Sequence, residues 1–182
     1  MAAVLLSIAL WGALGLAVWP LAEYVIHGGL GHRWPGPVAP LHWMHHERPE
    51  RVFTAPVAWV PIATLLYVVA VLVLGWVPGS SLVAGLVAGF LRYEWIHYRI
   101  HFREPRSERE RELRAHHLAH HFCDPGAYFG VSTRLWDRVF GTLGRDWRRD
   151  YASVIDLSPQ SGPSNFGELW PARPGRRSPE VR

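Results

Sequence analysis

Eleven histidines in a chain of 182 residues all fall between His27 and His121, and they form four clusters whose spacing suits metal binding. They read His27-Gly-Gly-Leu-Gly-His32, His42-Trp-Met-His45-His46, His97-Tyr-Arg-Ile-His101 and His116-His117-Leu-Ala-His120-His121. Residues three and four apart share one face of a helix, so each of the last three clusters can turn two or three imidazoles toward a common centre. Neutral imidazole is a borderline donor that suits Fe, Zn, Cu and Ni. The donors outnumber what one ion accepts, so two metals are expected. The first cluster is spaced by five, which a straight α-helix would splay apart, so the helix is expected to end or bend around Gly28 to Gly31. Cys123 is the single cysteine, which excludes a thiolate or iron–sulfur site and an internal disulfide, and suits a reducing compartment.

The elements that must position these clusters are apolar. Residues 2–22 and 52–91 carry no charge at all, and a bilayer core needs about 20 apolar residues per helical crossing. The first stretch supplies one crossing. It lacks the basic start and small-residue cleavage site of a secretory signal, so it is expected to stay. The second reads as a hairpin of Pro56 to Val77 and Leu82 to Ile96, turned at Pro78-Gly79-Ser80-Ser81, with a short last span. The expectation is therefore an all-α integral membrane protein with about three transmembrane helices and a cytoplasmic helical cap that holds a histidine-rich dimetal site. Residues 1–150 form this membrane-embedded catalytic domain, and residues 151–182, rich in Pro, Ser and Gly towards the end, form a loosely ordered tail.

There is no lysine, and every arginine lies between Arg33 and Arg51 or from Arg92 onward. Short loops rich in arginine stay cytoplasmic, which puts the N-terminus outside and all four histidine clusters at the inner surface. The net charge of +4 is accounted for by this topology and by attraction to anionic headgroups, without nucleic acid. Absence of lysine also fits GC-rich coding and a bacterial plasma membrane. Arg103 to Arg114 interleaves arginine with glutamate and reads as a solvated helical spacer that delivers the fourth cluster. Trp34, Trp43, Trp95, Trp136 and Trp147 fit an interfacial belt.

With these residues in view, the sequence resembles the membrane fatty acid hydroxylase and sterol desaturase superfamily. Its histidine boxes have the forms HxxxxH, HxxHH, HxxxH and HxxHH. The match is best to the fatty acid 2-hydroxylase branch. It rests on Glu23-Tyr24-Val25-Ile26-His27, on Leu41-His42-Trp43-Met44-His45-His46-Glu47-Arg48-Pro49, and on Tyr93-Glu94-Trp95-Ile96-His97-Tyr98. It ends in Phe129-Gly130-Val131-Ser132-Thr133-Arg134-Leu135-Trp136-Asp137-Arg138-Val139-Phe140-Gly141-Thr142, and so covers Glu23 to Thr142.

Box by box, the resemblance implies that His27, His32, His42, His45, His46, His97, His101, His117, His120 and His121 hold two Fe ions, which Zn can replace in isolated protein. His116 is left out, as a residue behind the ligands or in solvent. Glu23, Glu94 and Asp137 are implied as the carboxylates that receive the outer N–H of ligating imidazoles. The implied activity is an O2-dependent hydroxylation of a lipid C–H bond, most directly of a fatty-acyl chain drawn from the bilayer. Electrons would come from a separate donor of ferredoxin or cytochrome b5 type, because no such module is visible in the sequence.

Alternatives within the enzyme class are a carotenoid ring hydroxylase or a sterol-type desaturase or oxidase. Outside it, a non-catalytic membrane metal-binding protein competes, but it would string ligands along a membrane path. A bis-histidine haem protein would need one or two pairs within spans. A metalloprotease would need His-Glu-x-x-His, which Glu50 interrupts after His46-Glu47-Arg48-Pro49.

Overall fold

A computed structural model describes residues 1–155. Among these the fold is all-helical. Helix α1 (Ala2–Val25) runs without interruption into a π-helical segment (Ile26–Arg33), followed by α2 (Val38–Glu47), α3 (Pro56–Leu74), α4 (Trp76–Phe102), α5 (Glu108–Phe122), α6 (Leu135–Val139) and α7 (Trp147–Val154). Residues 151–154 finish α7, with Tyr151 and Val154 buried. The rest of the expected tail, 156–182, lies outside the described residues.

Two helical stretches, Ala2–Arg33 and Pro56–Leu74, are long and apolar enough to cross a membrane. Leu5, Leu6 and Leu10 on α1 and Leu65, Leu72 and Val73 on α3 are exposed, and α3 buries no residue at all. Large apolar surfaces of this kind are incompatible with water and suit lipid.

The hairpin turn lies earlier than the sequence reading placed it. Gly75 adopts φ +89° and breaks the chain between α3 and α4, a conformation that costs glycine nothing. Pro78 falls in the first turn of α4, where no helical N–H is required. Ser81 joins the same helix by donating its hydroxyl to the Val77 carbonyl at 2.7 Å. Helix α4 spans 27 residues, but its charge-free part, 76–91, is short, and α4 is not among the described helices long and apolar enough to cross a membrane; it carries the third histidine cluster beyond that part.

Helices α1 and α4 run parallel and approach closely. A methyl group at Gly15 would collide with the Leu82 carbonyl, and one at Gly85 with the Gly12 carbonyl, the small-residue packing that helices in lipid use in place of a hydrophobic drive. Further along, the Trp19 ring lies over Gly89 and edges Phe90 at 5.4 Å. Parallel packing brings the C-terminal ends of α1 and α4, and with them the first and third histidine clusters, to one end of the bundle.

Helix α5 lies at that end. Ser107 caps it by accepting from the Glu110 amide at 3.2 Å, and the Ser-x-x-Glu pattern is a capping signature. The segment Arg103 to Arg114 is largely exposed up to Glu112, as expected of a spacer, but it is also tied to its neighbours. Glu110 pairs with Arg99 of α4 at 2.7 Å and Glu112 with Arg134 at 2.5 Å. From Leu113 to His121 every residue is buried. Ala115, Leu118 and Ala119 of α5 pack with Ala127, Tyr128, Tyr151 and Val154 into the core of the cap.

Candidate metal centre

The ten histidines implied by the resemblance converge as two groups of five. His27, His32, His42, His46 and His120 form the first, and His45, His97, His101, His117 and His121 the second. Within each group one nitrogen per residue lies within 4.8 Å of all the others. The groups adjoin, with the rings of His46 and His121 4.3 Å apart.

The partition corrects one expectation. The second and fourth clusters do not each face a single centre. On α2 the i,i+4 pair His42 and His46 enters the first group while His45 enters the second; on α5 the pair His117 and His121 enters the second while His120 enters the first. The two groups thus exchange roles across α2 and α5. At Gly28 to Gly31, where the α-helix is expected to end or bend, α1 has given way after Val25 to π geometry. An i→i+5 helix returns residues five apart to one face, so His27 and His32 face the same centre with ring centroids 5.4 Å apart.

The Nε2 atoms define each centre. In the first group His27, His42, His46 and His120 close a ring with edges of 3.1, 3.0, 3.0 and 3.0 Å. In the second, His45, His97, His117 and His121 close one with edges of 3.1, 2.9, 3.0 and 3.2 Å. His101 stands 3.1 Å from His117 as a fifth member. In the first group the corresponding fifth residue is His32, whose buried Nε2 has no hydrogen-bond partner among the described residues.

These edges fit cations. His27 Nδ1 lies 2.5 Å from the Phe129 carbonyl and His120 Nδ1 2.7 Å from that of Ala127. Each carbonyl accepts the single N–H of a neutral ring, so both Nε2 atoms carry lone pairs, yet they meet at 3.0 Å. Lone pairs repel at that separation unless a cation sits between them. With metal–nitrogen bonds of about 2.1 Å, donors at right angles stand about 3.0 Å apart, and donors at the tetrahedral angle about 3.4 Å. The observed edges match right angles, which suits an open site with more than four positions better than a closed tetrahedral one. Burial holds the imidazoles of α2 and α5 well below their ordinary pKa, with neighbouring rings adding to the effect. They are therefore neutral and able to donate at neutral pH.

The three acids are buried, and each acts one step further from the imidazoles than expected. Asp137 accepts from the amides of Phe129 and Gly130 at 2.8 and 2.7 Å, and Glu23 from those of Val131 and Ser132, both at 2.7 Å. Together they pin the loop whose Ala127 and Phe129 carbonyls fix His120 and His27. Between these carbonyls Tyr128 takes a left-handed φ of 60°, a conformation that persists in a bulky residue only where its surroundings impose it. Glu94 accepts from the amide and hydroxyl of Thr54 at 2.9 and 2.8 Å. It anchors a segment whose Arg51 and Val52 backbone acts electrostatically on His45 and His97 of the second group, although neither ring's Nδ1 makes a hydrogen bond among the described residues. At the first group the carboxylates hold backbone, and the backbone holds the rings of His27 and His120.

His116 belongs to neither group and is not solvated: it is fully buried, 3.0 Å from Asp137 Oδ2 and 2.5 Å from the Tyr151 hydroxyl. Burial alone would raise the Asp137 pKa, but hydrogen bonds from His116, Thr142 and Gly130 outweigh it and hold the carboxyl below its usual range. Thr142 continues the network by donating to Asp137 Oδ1 at 2.7 Å and bonding the Tyr24 hydroxyl at 2.8 Å. The carbonyls of Ala127 and Phe129, and Thr54 and Thr142, escaped the sequence reading; only Phe129 and Thr142, at the two ends of the closing signature, had a visible signal. Trp43 is also reassigned, since its ring lies 5.2 Å from those of His32 and His46 rather than in an outer belt.

Residues 12–142 match the family model described as fatty acid hydroxylase. The chain is 34% identical over 142 residues to fatty acid 2-hydroxylase from Homo sapiens, covering 71% of this chain and 38% of that protein. It is 32% identical over 146 residues to a dihydroceramide fatty acyl 2-hydroxylase from Arabidopsis thaliana, covering 72% of this chain and 59% of that one. It is also similar to a solved structure of full-length Scs7p in which only the hydroxylase domain is visible, with a TM-score of 0.66 and 28% identity over 78% of this chain and 58% of that chain. The chain thus spans about two fifths of the length of its mammalian relatives.

Proposed function

Because this chain belongs to the fatty acid hydroxylase family, we propose that it hydroxylates a fatty-acyl chain in the membrane, using O2, two irons held by the ten clustered histidines, and electrons from a separate ferredoxin or cytochrome b5 type donor. The single observation that carries this reading is the pair of five-histidine groups whose Nε2 atoms face one another at bonding-polyhedron distances. The names of the relatives, fatty acid 2-hydroxylase and dihydroceramide fatty acyl 2-hydroxylase, favour an acyl chain over a carotenoid or sterol, and carbon 2 as the position attacked. The arginine pattern supports a cytoplasmic orientation of the site.

An unactivated C–H bond lies beyond any side-chain acid or base, so the bound metal pair supplies the oxidising chemistry and the protein supplies position and dryness. His27, His32, His42, His46 and His120 hold one ion, and His45, His97, His101, His117 and His121 the other. The carbonyls of Phe129 and Ala127 fix the tautomer of His27 and His120 by accepting hydrogen bonds from their Nδ1–H groups, leaving each Nε2 lone pair free to bind metal. Asp137 and Glu23 keep those carbonyls in place, as outer partners of metal ligands do. Glu94 anchors Thr54, in the segment beside the second group. The histidines of the second group are all buried, while His32 and His42 of the first are partly exposed, so the first group would be the more open to an acyl chain.

The test is metal analysis of detergent-purified protein together with mass spectrometry of lipids from cells expressing wild type or His120→Ala. About two irons per chain and a +16 Da acyl species that the variant lacks are expected. Two metals with an unchanged acyl profile would move the substrate to carotenoids or sterols. A protein that takes up no metal on reconstitution would overturn the site.

A further inference from the structure

A second cleft lies on the side of α4 that faces away from the histidines. It encloses about 350 Å³ between α4 and the start of α5. Arg92, Arg99, Arg103, Arg106, Arg109 and Arg114 line it, against a single glutamate, Glu110. At 100° per residue, Arg92, Trp95, Arg99 and Arg103 share one face of α4, about half a turn from His97 and His101. None of the ten clustered histidines lines the cleft, although Arg114 acts electrostatically on His101 and Arg92 on Glu23.

Its shape and depth identify the guest. The floor is apolar, formed by Ile96, Ile100 and Leu113, and Trp95 at the mouth is 57% exposed. Arg92 is the first charge after the uncharged run 52–91, and Arg99 follows two turns later, about 10 Å along the axis. With the uncharged run in the bilayer, that interval falls at the headgroup layer, where tryptophan and arginine are enriched. Glu110 is already engaged with Arg99 and with the Arg106 amide, both at 2.7 Å, while Arg92, Arg106 and Arg109 make no ion pair among the described residues. A fork of guanidinium groups matches the oxygens of a phosphate. A concave site with an apolar floor at this depth suits a headgroup better than the flat face of an acidic protein.

We propose that this cleft binds the phosphate of an anionic phospholipid from the surrounding leaflet, independently of the hydroxylase reading. The cleft then ties α4 to α5 through a lipid, at the joint between the membrane helices and the cap.

The full chain in phosphatidylcholine nanodiscs carrying a minor fraction of phosphatidylglycerol is the test, with retained lipid counted by native mass spectrometry after transfer to detergent. Wild type is expected to retain about one phosphatidylglycerol in preference to phosphatidylcholine, and Arg92→Gln/Arg109→Gln to lose this by about tenfold or more. Arg92→Lys/Arg109→Lys, which keeps charge but not the fork, loses less. Arg145→Gln/Arg148→Gln, which removes two arginines elsewhere on the cap, changes nothing. Equal retention by wild type and the Gln pair overturns the proposal. Displacement by millimolar inorganic phosphate overturns the lipid source, and capture of a poly-glutamate peptide in place of lipid overturns it in favour of a protein. Should the Gln pair fail to fold, as judged by its melting curve, the Lys pair and the phosphate competition decide.

Discussion

The two five-histidine groups are built to one plan and finished differently. Each takes an i,i+4 pair from one of α2 and α5, a lone histidine from the other, and a pair from the end of α1 or α4. The second group is enclosed on all sides, while His32 and His42 leave the first partly open. Their supports differ too. The first group leans on a loop pinned by two carboxylates and strained at Tyr128, the second on a short segment pinned by Glu94 alone. The difference teaches that geometry was set by helix periodicity and accessibility by what covers each ring.

The largest effects should come from the rings themselves. His120→Ala in the first group and His117→Ala in the second should each lower bound metal from about two to about one per chain and remove the hydroxylated product, read by elemental analysis and lipid mass spectrometry. If either variant keeps both metals, the partition between the groups is wrong.

The supports come next and should separate the groups. Asp137→Ala should weaken metal affinity about 10- to 100-fold at the first group only, and Glu94→Ala at the second only. Crossed with the ring variants, Asp137→Ala should add little to His120→Ala and much to His117→Ala, and metal titrations of the four proteins measure this.

A pH series sharpens the comparison further. Burial lowers the imidazole pKa values of α2 and α5, so these rings resist protonation as pH falls through about 6.5, where free imidazole charges. Metal should therefore survive dialysis below that pH, and the partly open first group should release its equivalent before the second. For the metal-free protein the unfolded chain takes up protons that the folded chain refuses. Stability should accordingly fall as pH drops below about 6.5, visible as a declining melting temperature. The smallest effect is expected from Glu108→Gln, which breaks the exposed pair with Arg111 at 3.7 Å and should leave melting and both metals unchanged.

Much of this was legible in the chain itself. The boxes announced a histidine-rich site, found as two groups that could each hold a metal, because imidazoles at helical spacing have few other uses in such number, and the uncharged runs announced helices long and apolar enough to cross a membrane. The turn at Gly75 was not legible, because Pro78-Gly79-Ser80-Ser81 carries the stronger turn composition and only the start of a helix makes that proline harmless. The division of the second and fourth clusters was hidden for a related reason. His45 and His46 are adjacent in sequence yet 100° apart around α2, and only a neighbour on each side reveals which ring serves which centre. The carboxylates were found as residues but misplaced by one bond in the chain of support, because backbone carbonyls have no signature in a sequence.

The π-helical segment has a consequence for how the first box tolerates length changes. His32 follows His27 by a step of five where α-helical boxes use three or four, and the wider backbone absorbs the surplus residue. Spacing and helix width are therefore exchangeable: deleting Leu30 would restore a four-residue step that an ordinary α-helix could carry, with both rings still facing one way. The missing rotation downstream would fall on residues 34–37, which precede α2 and belong to no helix. A homologue with a shorter first box need not have lost its centre; it has only to have narrowed the helix that presents it.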